Sequence, residues 1–247
     1  MNIQTFESKQ SLGKDAGAKT VAIIKDAIHQ KGNANIILAT GSSQFETLNF
    51  LIQDTTIDWS KVTMFHLDEY IGISSNHSAS FRKYLTERFL SNVPQLQNVY
   101  LINGDTDATA ECERLQALIK NHPIDVALVG IGENGHLAFN DPPADFETEE
   151  PFIVVALDIA CRQQQMKEGW FAHIDEVPTH AISMSIKQIL KSASIICSVP
   201  DARKAQAVYN TITQPVSPLY PASILRNHPN TYVYLDTESA SLLPSNL

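Results

Sequence analysis

Cysteine is scarce. The 247-residue chain has three, Cys112, Cys161 and Cys197. An odd, widely spaced set makes no disulfide framework, and its spacing matches no zinc motif. A reducing compartment is the simplest expectation. Long apolar runs are also absent. None approaches the roughly 18–20 residues that a membrane span needs. The opening residues, MNIQTFESK, hold no apolar stretch of the signal-peptide kind. These absences point to a soluble, cytoplasmic protein with no membrane partner.

Positive charge is in short supply as well. Lys and Arg total 18 against 27 Asp and Glu, a formal net charge of −9. An acidic surface disfavours nucleic acid and anionic membranes. It leaves an anionic substrate open, because backbone N–H groups and one or two cations can hold an anion locally. With 43% hydrophobic and 18% charged residues, the composition is that of a globular protein and excludes disorder and collagen-like repeats. The chain is long enough to bury a large core without staples. With no repeat or linker in view, residues 1–247 are expected to form a single domain.

What is present is an alternation of helix and strand patterns. Ala16, Val21, Ile24, Ala27 and Ile28 recur at helical spacing over residues 13–29. Residues 35–39, 62–67, 99–102, 124–129, 152–157, 181–184, 194–199 and 232–235 read as short strands. Helical stretches are expected at 44–52, 78–90, 108–120, 186–190 and from 201 to 209, the last capped by Asp201. The segments 141–150 and 214–229 look like polar surface excursions. The order predicts an α/β fold: an open, mainly parallel sheet with helices on both faces.

Such sheets bind ligands beyond the carboxyl ends of their strands, and polar clusters stand at three of those ends. Thr40, Gly41, Ser42 and Ser43 join a strand to a helix, either as a phosphate cradle or as a capped turn. The lysine of a Walker loop is missing, and so is a dinucleotide fingerprint. Asp68 and Glu69 follow the next strand. One can serve as a base and the other as a structural acceptor, or both can sit in a solvated turn. Gly130, Gly132 and Gly135 surround Asn134 and deliver His136, with Asp141 five residues on to orient the imidazole. His66, inside a strand run, reads as a packing or loop-supporting histidine. Lys204 can balance substrate charge or decorate a helix. Arg203, pointing another way, is set aside. No nucleophile elbow and no metal spacing is evident.

The ordered runs LATGSS (38–43), FHLDEY (65–70) and GIGENGHLAFNDP (130–142), with EVPTHA (176–181) and Lys204 as weaker anchors, resemble the glucosamine-6-phosphate deaminase family. That family lies within the wider group that includes 6-phosphogluconolactonases. The resemblance runs from residue 10 to residue 236. It implies a modified Rossmann-like fold and an enzyme of the hydrolase class in amino sugar metabolism. That enzyme turns a 2-amino-2-deoxyhexose 6-phosphate into a ketohexose 6-phosphate plus ammonia. On this pattern His136 assists ring opening, and Asp68 moves a proton between C2 and C1. Asn134 and Asp141 orient or tune His136. Thr40, Gly41, Ser42, Ser43 and Lys204 hold the phosphate, and Glu69 carries no assigned step. The electron sink is the substrate's carbonyl and then its imine, so neither cofactor nor metal is implied.

The chain departs from the family pattern twice. Asp141 stands where glutamate is usual. The asparagine-alanine-arginine run is replaced by RQQQMKEGWF (162–171), leaving Arg162 or Lys167 as substitutes for the phosphate-binding arginine. The expected substrate is glucosamine 6-phosphate. The alternatives are galactosamine 6-phosphate, a lactonase activity, or a non-enzymatic sugar-phosphate sensor. Tyr70 and the run after Gly135 argue against the lactonase branch. The expected partner is an amino-sugar phosphate, the chain is expected to be a monomer or a homo-oligomer, and allostery is not predicted.

Overall fold

The computed structural model describes residues 1–167 and 169–244. In chain order the elements are β1 (Asn2–Phe6), α1 (Lys9–Lys31), β2 (Ala34–Leu38), α2 (Phe45–Gln53), β3 (Val62–His66), β4 (Asp68–Tyr70), α3 (Phe81–Arg88), β5 (Asn98–Tyr100) and α4 (Ala108–Ile119). There follow β6 (Val126–Val129), β7 (Phe152–Ala156), α5 (Ile159–Lys167), β8 (His180–Met184), α6 (Ile186–Leu190), β9 (Ser194–Val199), α7 (Ala205–Thr213) and β10 (Thr231–Asp236).

Among the described residues, seven strands form one sheet in the order β1-β10-β9-β6-β2-β3-β5, and every neighbouring pair is parallel. Both faces are covered, as a parallel sheet requires. The two-residue period of a strand decides which core each side chain joins. Ile36 and Leu38 pack with Leu12, Ile24, Leu51 and Leu85 of α1, α2 and α3. Ile37, between them, joins Leu115, Ile189 and Val208 of α4, α6 and α7 on the opposite face. From β2 the chain moves toward β3, whereas from β6 it moves toward β9. The two strands are neighbours, so a crevice opens beyond their carboxyl ends. The 40–43 loop and the Gly-rich turn leave from those two ends. Among the described residues no helix is long and apolar enough to cross a membrane.

The structure refines the sequence reading in several places. β1 was not anticipated, because an edge strand that is mostly exposed carries little apolar signal. Strands β7 and β8 do not enter the main sheet. They form a separate antiparallel sheet with β4, in the order β4-β8-β7. Asp68 to Tyr70, read as a loop, is therefore a strand, with Asp68 paired to Ser183 and Tyr70 to Ala181. The helix expected over 78–90 is shorter, starting after the N-cap Ser80. Asp201 caps a 3-10 turn (Ala202–Lys204), and the α-helix begins only at Ala205. The 214–229 stretch is not wholly superficial: Ala222 and Leu225 are fully buried, and the Ala222 N–H donates to the Gly135 carbonyl at 3.0 Å.

Candidate active site

The first wall of the crevice is the loop after β2. Gly41 has φ +94°, a left-handed conformation that side chains resist. It lets the chain turn sharply into the 3-10 segment Ser42–Gln44 and then α2. The loop is tied down from two sides. Tyr84 Oη donates to the Gly41 carbonyl at 2.9 Å, and Gln44 Nε2 donates to the Val129 carbonyl at 3.2 Å. Thr40, Gly41, Ser42 and Ser43 all line the cleft, as does Lys204, which is 4% exposed. A loop opening into a helix start, with a cation facing it, is a chemically competent anion cradle.

The second wall is the Gly-rich turn after β6. Its backbone closes on itself: the Gly132 N–H donates to the His136 carbonyl and the Gly135 N–H to the Gly132 carbonyl, both at 3.0 Å. The imidazole of His136 lies directly over Gly132. A β-carbon built there would stand 2.3 Å from Cε1 and Nε2, so a larger residue would displace the ring. His136 Nδ1 meets Asp141 Oδ1 at 3.0 Å. Asn134 Nδ2 donates to the same oxygen at 2.9 Å, and the Asp158 N–H donates to Oδ2 at 3.3 Å. Burial alone would raise the Asp141 pKa. The hydrogen bond and charge of His136, aided by Asn134 and the Asp158 N–H, outweigh it and hold the carboxyl below its ordinary range. An ionised carboxylate only accepts, so Nδ1 carries the proton and the free Nε2 is presented to the cleft. Asn134 makes no hydrogen bond to the imidazole. Besides holding Asp141, it accepts the His136 backbone N–H at 3.1 Å.

Asp68 enters from the third side, two residues beyond the end of β3 and at the start of β4. It is 7% exposed and lines the cleft, and its carboxyl makes no hydrogen bond with any described residue. Burial, reinforced by the charge of Glu69, pushes its pKa up to about 8. Glu69 faces the other way and is not in the cleft. Its fully buried carboxylate accepts from the Tyr70, Phe81 and Arg82 backbone N–H groups, from Ser80 Oγ and from Arg82 Nε. His66 has the supporting role expected of it: it is fully buried, and its Nε2 accepts from the Ile102 N–H at 2.8 Å. Burial, then the charge of Arg82, lowers its pKa to about 3 and keeps it neutral.

The two candidate replacements for the phosphate arginine separate. Arg162 is turned away from the cleft, donating to the carbonyls of Ile174 and Val177 at 2.8–3.2 Å. It is a structural clamp, which corrects the expectation of a phosphate contact. Lys167 borders a hollow with Ser42, Phe45, Trp170 and Arg203 at the rim of the 40–43 loop. Arg203, set aside on sequence, shares that hollow and pairs with Asp201 at 3.0 Å and Glu133 at 3.5 Å.

Sequence reasoning missed the wall made by α5. Gln164, Gln165 and Trp170 line the cleft, with Phe81 and Phe139. Cys161, Gln164 and Gln165 are the buried residues of α5. Their i, i+3, i+4 spacing is helical, but two of the three are polar, so a search for apolar periodicity passes over them. Among the described residues, His136, Asp141 and Cys161 are the one group whose potential ligand atoms all lie within 4.8 Å of each other. Burial and the charge of Asp141 drive the Cys161 thiol far above its usual range. A protonated thiol beside a histidine–carboxylate pair fits a hydrogen-bonded cluster better than a metal centre.

Residues 7–234 match the family profile of glucosamine-6-phosphate isomerases/6-phosphogluconolactonase. A glucosamine-6-phosphate deaminase of Listeria monocytogenes serotype 4a (strain HCC23) is 38% identical over 245 residues, spanning 98% of this chain and 100% of that protein. One from Streptococcus pneumoniae (strain 70585) is 36% identical over 92% of this chain and 94% of its own. Among solved structures, a monomeric glucosamine-6-phosphate deaminase superposes with a TM-score of 0.90 at 32% identity, over 98% of this chain and 100% of that one. The 6-phosphogluconolactonase of Trypanosoma brucei superposes at 0.80 with 20% identity, covering 98% of each chain, a likeness of fold alone.

Proposed function

The chain belongs to the family of glucosamine-6-phosphate isomerases and 6-phosphogluconolactonases, and we propose that it isomerises and deaminates glucosamine 6-phosphate. The products are fructose 6-phosphate and ammonia. The observation that carries this reading is the meeting, in one cleft, of a free buried carboxyl (Asp68), a carboxylate-oriented imidazole (His136) and an anion cradle. The relatives of 36–38% identity, whose names are those of deaminases, support it over a lactonase.

In this reading the phosphate rests in the 40–43 loop against Lys204, and Lys167 adds charge from the rim. Remote binding of this kind positions the reacting carbons. Nε2 of His136 takes the proton of the anomeric hydroxyl and returns one to the ring oxygen, opening the sugar. Its partner Asp141 stabilises the imidazolium formed between the two transfers. Ionised Asp68 then removes the proton from C2. The C–H electrons form a C1–C2 double bond while the C1 carbonyl oxygen takes up charge and a proton. Asp68 delivers its proton to C1, and the electrons of the resulting enolamine move so that an imine stands at C2. Water adds to that carbon and ammonia leaves. The net reaction consumes one water, which is the sense in which the enzyme is a hydrolase.

A carboxyl that ionises near pH 8 rather than 4 is a stronger base once ionised. Glu69 contributes through its charge and by anchoring the strand that carries Asp68. We read the chain as one domain, since the small sheet and the large one share this cleft. The three free cysteines are buried, which fits a reducing cytoplasm. The test is release of ammonia and ketose phosphate across glucosamine 6-phosphate, galactosamine 6-phosphate and 6-phosphogluconolactone. Ammonia from the first is expected; turnover of the lactone alone would overturn the reading.

A further inference from the structure

Gln164 and Gln165 are consecutive and both line the cleft, yet the structure uses them differently. Gln164 Oε1 accepts the Glu133 backbone N–H at 3.0 Å, which ties α5 to the Gly-rich turn. Gln165 is 7% exposed, and its side-chain amide makes no hydrogen bond with any described residue. Its carboxamide opens onto the cleft with no protein partner among the described residues, so its donors and acceptor are poised for a ligand. Its neighbours suggest which part of the ligand it meets. On the functional reading above, Asp68 and His136 are assigned to C1, C2 and the ring oxygen, and Thr40 to Ser43 with Lys204 to the phosphate on C6; all of them line the one cleft. α5 forms part of the wall of the same cleft, and the middle carbons of the sugar, C3 and C4, carry one neutral hydroxyl each. A hydroxyl both donates and accepts, and so does a carboxamide. A carboxylate or ammonium at this place would add a charge to the cleft that holds Asp68; an amide does not.

We propose that Gln165 is a substrate-binding residue that recognises the 3- or 4-hydroxyl of the amino-sugar phosphate. The inference rests on the functional reading above and deepens it. Gln165 contributes to choosing among sugars that share the amine and the phosphate, a discrimination that neither Asp68 nor the phosphate loop can make. A site built to hydrogen-bond a hydroxyl loses heavily against an analogue that lacks it.

The experiment measures kcat/KM for ammonia release by the wild type, Gln165→Met and Gln165→Leu. The substrates are glucosamine 6-phosphate and its 3-deoxy and 4-deoxy analogues. The variants are expected to lose about ten- to hundredfold on the parent sugar, the scale of one lost hydrogen bond with its unpaired partner. The loss should vanish on one of the two deoxy analogues, and which one identifies the hydroxyl. Two apolar variants of different shape guard against a folding defect in either, and unfolding midpoints check both. An equal loss on all three sugars, or no loss on the parent, overturns the assignment while leaving the deaminase reading intact. A wild type that releases no ammonia from the parent sugar overturns both.

Discussion

Asp68 and Glu69 are consecutive residues of one three-residue strand, and their carboxyls go to opposite sides of it. Asp68 faces the cleft without a hydrogen bond to any described residue, whereas Glu69 collects five donors from Tyr70, Ser80, Phe81 and Arg82. The two-residue period of the strand converts adjacent acids into a cleft-facing group and an anchor. Because both are buried, Asp68 feels the charge of Glu69.

Asp68→Asn is expected to fold and to retain sugar-phosphate binding but to lose exchange of the C2 proton with solvent. Deuterium wash-out from C2 measures this. A folded variant that exchanges at the wild-type rate would contradict the role.

The same group makes stability depend on pH with a definite sign. The folded pKa of Asp68, about 8, lies above its ordinary 3.8. The native state therefore holds a proton that the unfolded chain has released. That contribution falls as pH rises from about 4 through 8. Unfolding midpoints of the wild type should drop more steeply between pH 4 and 8 than those of Asp68→Asn, and the two curves should run parallel above that range. Curves parallel within that range as well would show that Asp68 ionises normally.

Catalysis responds in the opposite sense, because the base must be ionised. The kcat/KM of the free enzyme should climb on the acid side toward pH 8. Glu69→Gln removes a charge that raises the Asp68 pKa, so its acid limb should move to lower pH. It also weakens an anchor, at a cost of roughly 1–3 kcal/mol in stability. A pH profile that stays in place while stability falls would reduce Glu69 to a purely structural residue.

At the His136–Asp141 pair, Asp141→Asn removes the charge that stabilises the imidazolium. The expected loss, on the scale of a charge-assisted hydrogen bond of roughly 1–3 kcal/mol, is about five- to 150-fold in kcat/KM. It should be much smaller on an open-chain substrate analogue, which skips ring opening. Gly132→Ala should reproduce that selectivity, because its methyl group occupies the place of the imidazole. Equal losses on closed and open sugars would remove ring opening from the duties of His136.

The cations divide by position. Lys204→Ala is expected to weaken binding of a sugar phosphate, measured by calorimetry, and to leave the unphosphorylated sugar unaffected. Arg162→Ala should do the reverse of what its charge suggests. It removes bonds to the Ile174 and Val177 carbonyls and so lowers the unfolding midpoint while leaving phosphate affinity near the wild-type value. An Arg162→Ala protein with intact stability and lost phosphate affinity would reverse the assignment.

Much of this protein was determined by sequence alone. Buried strands such as 124–129 are continuous apolar runs, and helix faces repeat at helical spacing, so the α/β class was legible. The polar residues that interrupt those patterns at strand ends marked Asp68, His136 and the 40–43 loop. Other features were not legible, because they depend on contacts between segments distant in the chain. Nothing local says that β4 leaves the parallel sheet to pair with β8, since both are short strands in either arrangement. Nothing local separates Arg162 from Lys167 either: α5 turns one onto backbone carbonyls and the other to the rim of the 40–43 loop. Gln165 was hidden for a related reason. Apolar periodicity reports burial driven by water's rejection of hydrocarbon, and a glutamine buried to face a cleft gives no such signal. Only the tertiary structure, by bringing α5 over the carboxyl ends of β2 and β6, decided that this amide belongs to the site.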